Sequence, residues 1–223
     1  MAIVLAAAVL AGAWFLAGGW QSAAVPRLDD IELSYFPLQG RGEPIRLLLE
    51  YYGVPYRQRA VTGEEWSVLK VAEDSPYTFG QLPHLQNGDL SLVQTNAILA
   101  HLDRQIRLRD GVHFDEEHLA KQEQISGGVE DLRARLGRLV YGAEADKEAA
   151  LERLPRDLLP FERLLVDNGA FFGKGHYLVG DSATYVDLNL WDVLDKFQHA
   201  ALSPDCLKDF PAVRSSSLRI HLT

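Results

Sequence analysis

Tyr35-Phe36-Pro37-Leu38-Gln39-Gly40-Arg41 is the stretch on which the fold turns. Ile31 to Phe36 alternates weakly and reads as a β-strand, so a phenol stands at a strand end, followed by a proline- and glycine-bearing turn and a guanidinium. Gly42 to Tyr52 carries Ile45, Leu47, Leu48 and Leu49 and closes at Gly53, a helix with a glycine stop. Tyr56 to Val61 reads as a second strand and Glu64 to Ala72 as a short helix. Gln81-Leu82-Pro83 then sets a proline, which cannot donate to a strand ladder, just ahead of further β-competent sequence. His84-Leu85-Gln86 and Leu90-Ser91-Leu92 flank Asn87-Gly88-Asp89, and Asn-Gly between apolar stretches is a strong hairpin signal. Gln94-Thr95-Asn96 brings a hydroxyl to the start of a helix running from Thr95 to Ile106, with Ile98, Leu99 and Leu102 on one side.

This βαβ–α–ββα order is the thioredoxin-like α/β arrangement, expected over residues 29–110. The remainder, residues 112–223, reads as an all-α helical bundle, with Arg107 to Phe114 as the linker. Ile125, Val129, Leu132, Leu136 and Leu139 step by four and three along one face of a long helix. Gly127-Gly128 inside it costs about 2 kcal/mol relative to two alanines, a cost that a close helix approach at a two-fold axis would explain. A second helix is expected from about Lys147 to Val166, bent or interrupted by Pro155 and Pro160. Gly173-Lys174-Gly175 marks a turn. Thr184-Tyr185-Val186-Asp187 has the form of a capping box opening a buried helix through Leu188, Leu190, Trp191 and Leu194.

The 223 residues are 47% apolar and 24% charged, an ordinary globular balance with ample core material. A net charge of −9 argues against nucleic-acid binding, since no basic patch would dominate such a surface. Cys206 is the single cysteine, so no intrachain disulfide can form, which fits a reducing compartment. One cysteine and seven histidines without a His-x-x-x-His pair build no zinc site, and no metal is expected. Cys206 reads as a structural thiol. No phosphate-binding glycine loop occurs.

Residues 1–26 form a separate leader. From Ala2 to Trp20 every residue is apolar or glycine, and the first charged side chain is Arg27. That length is just able to span a bilayer core of roughly 30 Å. It also has the form of a signal-peptide core, with Ser22-Ala23-Ala24 as small residues before Val25, but it lacks the usual basic start. Anchor, signal and an atypical start of the reading frame all stay open. Membrane association is expected only if residues 2–20 are retained.

In their order and spacing the three quoted segments resemble the glutathione-binding half of a glutathione transferase of the cytosolic type, closest to the pi class. The resemblance runs from about Glu32 to Pro211. It implies glutathione as co-substrate, a homodimer, a cytoplasmic location and conjugation of the thiol to hydrophobic electrophiles. The chemistry is economical. A free thiol of this kind has a pKa of about 8.5, so only a few per cent is the nucleophilic thiolate at neutrality. Lowering that value by about two units takes roughly 2.7 kcal/mol, and one hydrogen bond to a charged acceptor supplies about 1.5–3 kcal/mol.

By resemblance, Tyr35 is the catalytic phenol that donates to the sulfur. The glutathione contacts implied are Phe36, Arg41, Trp66, Lys70, Gln81, Leu82, Pro83, Gln94 and Thr95. Leu82-Pro83 is implied to be a cis peptide that presents the leucine main chain to the cysteinyl part of the ligand. Thr95 stands where the family usually has serine, capping the helix whose positive end suits a carboxylate. Asp131 is implied to complete the partner's site, Phe79 to be an aromatic key inserted between the partner's helices, and Tyr141 to line the electrophile pocket. Asp131 and Tyr141, ten residues apart, point about 80° from one another around a helix. Two rival readings accompany this one: a glutathione-dependent isomerase of the sigma kind, and a catalytically weak ligand- or partner-binding protein. After Phe210-Pro211 the implied helix is expected to give way at Arg214-Ser215-Ser216-Ser217, because serines are weak helix formers. That shortened C-terminus is expected to cost stability and second-substrate affinity more than glutathione binding.

Overall fold

Four strands form one mixed sheet in the order β2-β1-β3-β4. They are β1 (Ile31–Tyr35), β2 (Tyr56–Ala60), β3 (His84–Asn87) and β4 (Leu90–Val93). The computed structural model describes residues 28–113, 115–172, 177–200 and 206–220. The leader at 1–26 and the expected turn at Gly173-Lys174-Gly175 lie outside them. β1 runs parallel to β2 and antiparallel to β3, and β3 pairs antiparallel with β4. Ile31, Leu33 and Tyr35 are buried, as a central strand requires. The hairpin between β3 and β4 turns at Gly88, whose φ of +56° is the left-handed conformation that a tight two-residue turn demands.

Three helices complete this half: α1 (Glu43–Tyr51), α2 (Gly63–Leu69) and α3 (Thr95–Arg109). α1 buries Ile45, Leu48 and Leu49 and stops at Gly53 in the left-handed region, as its sequence predicts. α3 buries Ile98, Leu99, Leu102 and Ile106. It continues past the expected end at Ile106, so the linker is shorter than Arg107 to Phe114. Arg107 is helical and 5% exposed, with Nε donating to Asp103 Oδ2 at 3.1 Å and Nη2 to Tyr52 Oη at 2.9 Å. Nη2 also donates to the main-chain oxygen of Ala183. A guanidinium this deeply buried, bonded to Asp103, Ser182, Tyr52 and the Ala183 carbonyl, belongs to the core rather than to a solvated connection.

The second half is helical: α4 (Glu116–Tyr141), α5 (Glu144–Phe172), α6 (Tyr185–Ala200) and α7 (Pro211–Ile220). α4 buries the five apolar residues that the periodicity selects. Gly128 faces the Phe161 ring of α5 within the same chain, where an added Cβ would sit 3.4 Å away, while nothing lies within 4 Å of one at Gly127. α5 runs unbroken through Pro155 and Pro160. Leu154, Leu158, Phe161 and Leu165 are buried along it. Burial of each contributes about 1.5–3 kcal/mol, which together offsets the roughly 3 kcal/mol that each internal proline costs.

α7 likewise forms where a break is expected at the serines. Glu162 of α5 caps it: Oε1 accepts from Ala212 N and Oε2 from Val213 N, each at 2.9 Å. An acceptor supplied by a neighbouring helix satisfies two of the orphan amides that a helix start exposes, and Val213 is fully buried beside them. Among the described residues no helix is long and apolar enough to cross a membrane.

The capping box at the start of α6 carries more than its own helix. Asp187 accepts from Thr184 N at 2.8 Å and from Thr184 Oγ1 at 3.0 Å, while its other oxygen accepts from Leu178 N at 2.7 Å. Burial pushes its carboxyl up to about 6, against the pull of those hydrogen bonds. Removing it leaves two buried amides without acceptors. Asp187→Ala is therefore expected to lower the unfolding free energy by about 3 kcal/mol. Urea denaturation checks this, with a falling midpoint at unchanged slope.

Candidate functional site

The end of β1 delivers Tyr35 into a seat made by two glycines. A Cβ at Gly40 would lie 2.5 Å from the phenol oxygen, and one at Gly42 would lie 2.6 Å from the ring. Both positions are closed to any other residue unless the ring moves. Gly40 also has φ +42°, a second reason for glycine there. In this seat Tyr35 is 6% exposed, and its Oη accepts the amide N–H of Arg41 at 2.8 Å. The phenol keeps its own proton to donate. Arg46 of α1 holds the turn from the other side, donating to the carbonyls of Leu38 and Gln39, with its guanidinium carbon 5.8 Å from the Tyr35 ring centre.

A cleft of about 500 Å³ opens beside this seat, with Phe36, Arg41 and Trp66 on one wall. The opposite wall holds Gln81, Leu82 and Pro83, then Gln94, Thr95 and Asn96 at the start of α3. Phe36 and Trp66 meet edge to face with ring centres 6.2 Å apart, and Trp66 leans on Tyr77 at 4.9 Å. This aromatic row continues from Tyr35, 5.6 Å from Phe36, so the wall is rigid. The Leu82-Pro83 peptide is cis, in agreement with the resemblance.

Gln94 has φ +76°, the one positive φ at a non-glycine among the described residues. Such strain is tolerated where the surroundings over-determine the backbone. Here the Gln94 side-chain amide donates to Gln81 Oε1 at 2.8 Å, bracing two wall segments against each other. Gln94, not Thr95, occupies the cap position of α3, and it makes no side-chain cap. Thr95 differs from its expected role: its hydroxyl donates to the Arg41 carbonyl at 3.2 Å, tying the helix start to the turn under Tyr35.

Arg41 reaches across the cleft mouth to α4. Its guanidinium grips Glu130 with both arms, Nη1 to Oε2 at 3.0 Å and Nη2 to Oε1 at 2.5 Å, and this carboxylate raises Arg41 above its ordinary value. Glu130 and Asn96 line the cleft although neither is among the site residues expected from the sequence. Glu130 adjoins Asp131, but neighbouring residues on a helix point about 100° apart, and the two line different cavities.

Five expected residues are not part of the cleft lining, and one of them is Tyr35, buried in its glycine seat next to Phe36. Lys70 is exposed at the end of α2 and Tyr141 is 89% exposed at the end of α4. Phe79, 65% exposed, precedes Gly80 on the rim. Asp131 lines a separate groove between α4 and α5, with Gly128, Pro160 and Phe161. No group of side chains suited to holding a metal ion occurs among the described residues.

Both halves of the chain are similar to known proteins. Residues 32–104 match the family model described as "Glutathione S-transferase, N-terminal domain", and residues 130–221 the one described as "Glutathione S-transferase, C-terminal domain". The chain is 38% identical over 188 residues to glutathione S-transferase P of Bos taurus, covering 84% of this chain and 85% of that protein. It is 39% identical over 178 residues to glutathione S-transferase P of Homo sapiens, covering 79% and 80%. The solved pi-class glutathione S-transferase of Onchocerca volvulus superposes with a TM-score of 0.74 at 33% identity, covering 85% of this chain and 86% of that one. With both halves matched and identity sustained along most of its length, the chain belongs to the glutathione S-transferase family.

Proposed function

We propose that the cleft binds glutathione and that Tyr35 donates its hydroxyl proton in a hydrogen bond to the bound sulfur, holding it as the thiolate. The thiol proton passes to solvent, and the thiolate then attacks the electrophilic carbon of a hydrophobic second substrate: a C–S bond forms and the leaving group departs with its electron pair. The observation that carries the reading is the Tyr35 oxygen's acceptance of the Arg41 amide, which leaves the phenol proton as the remaining donor. A cleft of about 500 Å³ suits a tripeptide. In this reading residues 29–110 bind glutathione, with Leu82 offering its main chain, and residues 112–223 carry the second substrate. The amides opening α3 and the side chains of Gln81 and Gln94 suit the γ-glutamyl end.

The same reading makes the protein a homodimer. Phe79 is an exposed apolar ring on a loop, and the groove beside Asp131 has a volume of about 290 Å³ with Pro160, Phe161 and Leu164 in its wall. A partner's Phe79 inserted there would be desolvated, and Asp131 on the groove rim would be carried toward the partner's cleft.

Three variants test this. Tyr35→Phe removes only the donor, and is expected to cut turnover of a chloro-dinitroaromatic substrate by about tenfold or more while retention on immobilised glutathione persists. Equal loss of both would remove the phenol from the chemistry. Phe79→Ser is expected to yield monomers in sedimentation velocity, and Asp131→Ala to weaken glutathione affinity in a protein that stays dimeric. A wild-type monomer would end the shared-site proposal.

A further inference from the structure

Lys196, on α6, is a cation with no part in the chemistry above. Its ammonium donates to the carbonyl oxygen of Gly40 at 3.4 Å and pairs with Asp192. That carbonyl and the Arg41 N–H belong to the same peptide group, and the Arg41 N–H donates to Tyr35 Oη at 2.8 Å. One peptide therefore links an ammonium of the helical half to the phenol of the other half.

The local charge favours polarisation through this link. Asp192 is 2% exposed and also accepts from Arg133 Nη1 at 2.7 Å, so one carboxylate serves two cations. Glu43, the other acid facing Lys196, is committed to Arg46 at 2.5 Å. Arg46 itself lies against the Tyr35 ring and the carbonyls of Leu38 and Gln39, but it has no bond to the Gly40–Arg41 peptide. Arg41 is held by Glu130. Burial pulls the Lys196 ammonium below its ordinary value while Asp192 opposes that pull.

We propose that Lys196 is a positioning residue that polarises the Gly40–Arg41 peptide and so strengthens the hydrogen bond from the Tyr35 hydroxyl to the glutathione thiolate. The proposal rests on the role given to Tyr35 above. A cation on a peptide carbonyl makes the N–H of that peptide a stronger donor, and a phenol accepting from a stronger donor becomes a stronger donor in turn. The same contact fixes the carbonyl of a turn that must stay clear of the ring.

Lys196→Met removes the ammonium and leaves Asp192 paired with Arg133. The ultraviolet absorbance of bound thiolate, followed against pH in the binary complex, gives the midpoint of thiol ionisation. Lys196→Met is expected to raise that midpoint by about 0.5 pH unit, roughly threefold less thiolate below both midpoints. Lys196→Arg is expected to restore it. Affinity for S-methyl glutathione, which has no thiol to ionise, is expected to stay unchanged. In a Tyr35→Phe background Lys196→Met should add no further shift.

An unmoved midpoint overturns the proposal, as does an equal shift with and without the Tyr35 hydroxyl, or weakened S-methyl glutathione binding. If Tyr35→Phe alone leaves the midpoint at its wild-type position, the role of the phenol fails instead. Should Lys196→Met not fold, Lys196→Gln, a neutral side chain one bond shorter, is expected to raise the midpoint on the same readout, and no rise overturns the proposal.

Discussion

The phenol of Tyr35 holds its place because two neighbouring residues have no side chain. Its oxygen and ring fill the space that a Cβ at Gly40 or Gly42 would take. The turn from Gly40 to Gly42 leads straight into α1, which buries Pro44, Ile45, Leu48 and Leu49 and packs against α3 and α6. Core packing therefore decides where the turn lies, and the turn decides where the hydroxyl points. Arg46 on α1 and Thr95 on α3 both bond this loop's carbonyls, so the seat is fixed from two helices at once. In the proposed reaction a donor placed this firmly would need little reorganisation when charge appears on the bound sulfur.

Buried charge sets how the two halves meet. Arg107 joins α3 to the segment before α6 through the Ala183 carbonyl, while its partner Asp103 accepts from Tyr185 N at 3.2 Å. Arg133 of α4 reaches Asp192 and, at 2.6 Å, Asn189 Oδ1 on α6. Asn189 in turn donates to Asn96 at 3.3 Å, and Asn96 lines the cleft. Buried ion pairs give little net stability, but breaking one leaves a charge stranded at a cost of about 3–5 kcal/mol. Apolar surfaces can slide past each other; these directional contacts permit one arrangement. The cleft, lined by the turn after β1, by α2, by the loop before β3 and by α3 and α4, inherits its shape from that arrangement.

Local chemistry was legible in the sequence and long-range rescue was not. Gly53 and the Asn87-Gly88 pair announced a helix stop and a hairpin because each satisfies a backbone demand within a few residues. The step of four and three from Ile125 to Leu139 announced the buried face of α4 for the same reason. Pro155, Pro160 and the three serines misled because their penalties are offset by apolar burial along α5 and by the Glu162 cap, partners far away in sequence. Arg107 read as linker because nothing local reveals acceptors at Tyr52 and Ala183. The cleft residues were legible through resemblance alone: no spacing rule makes Gln81 and Gln94 touch or gives Gln94 a positive φ.

The pairing of Arg41 with Glu130 changes how the cleft must attract an anionic peptide. A guanidinium held by both carboxylate oxygens has lost much of its pull on another anion, and about half of its surface faces water. Lys70 stands outside the cleft wall. What remains facing the cavity are neutral donors: the side-chain amides of Gln81, Gln94 and Asn96, and the opening turn of α3 with its positive end. Neutral donors in fixed positions select by geometry, whereas a free cation would draw any anion to the mouth. In a chain of net charge −9 that distinction matters, because long-range attraction of anions is weak from the start. Under the proposed function, recognition would rest on the match between the peptide's hydrogen-bonding edge and the wall formed by Gln81, Leu82 and the start of α3.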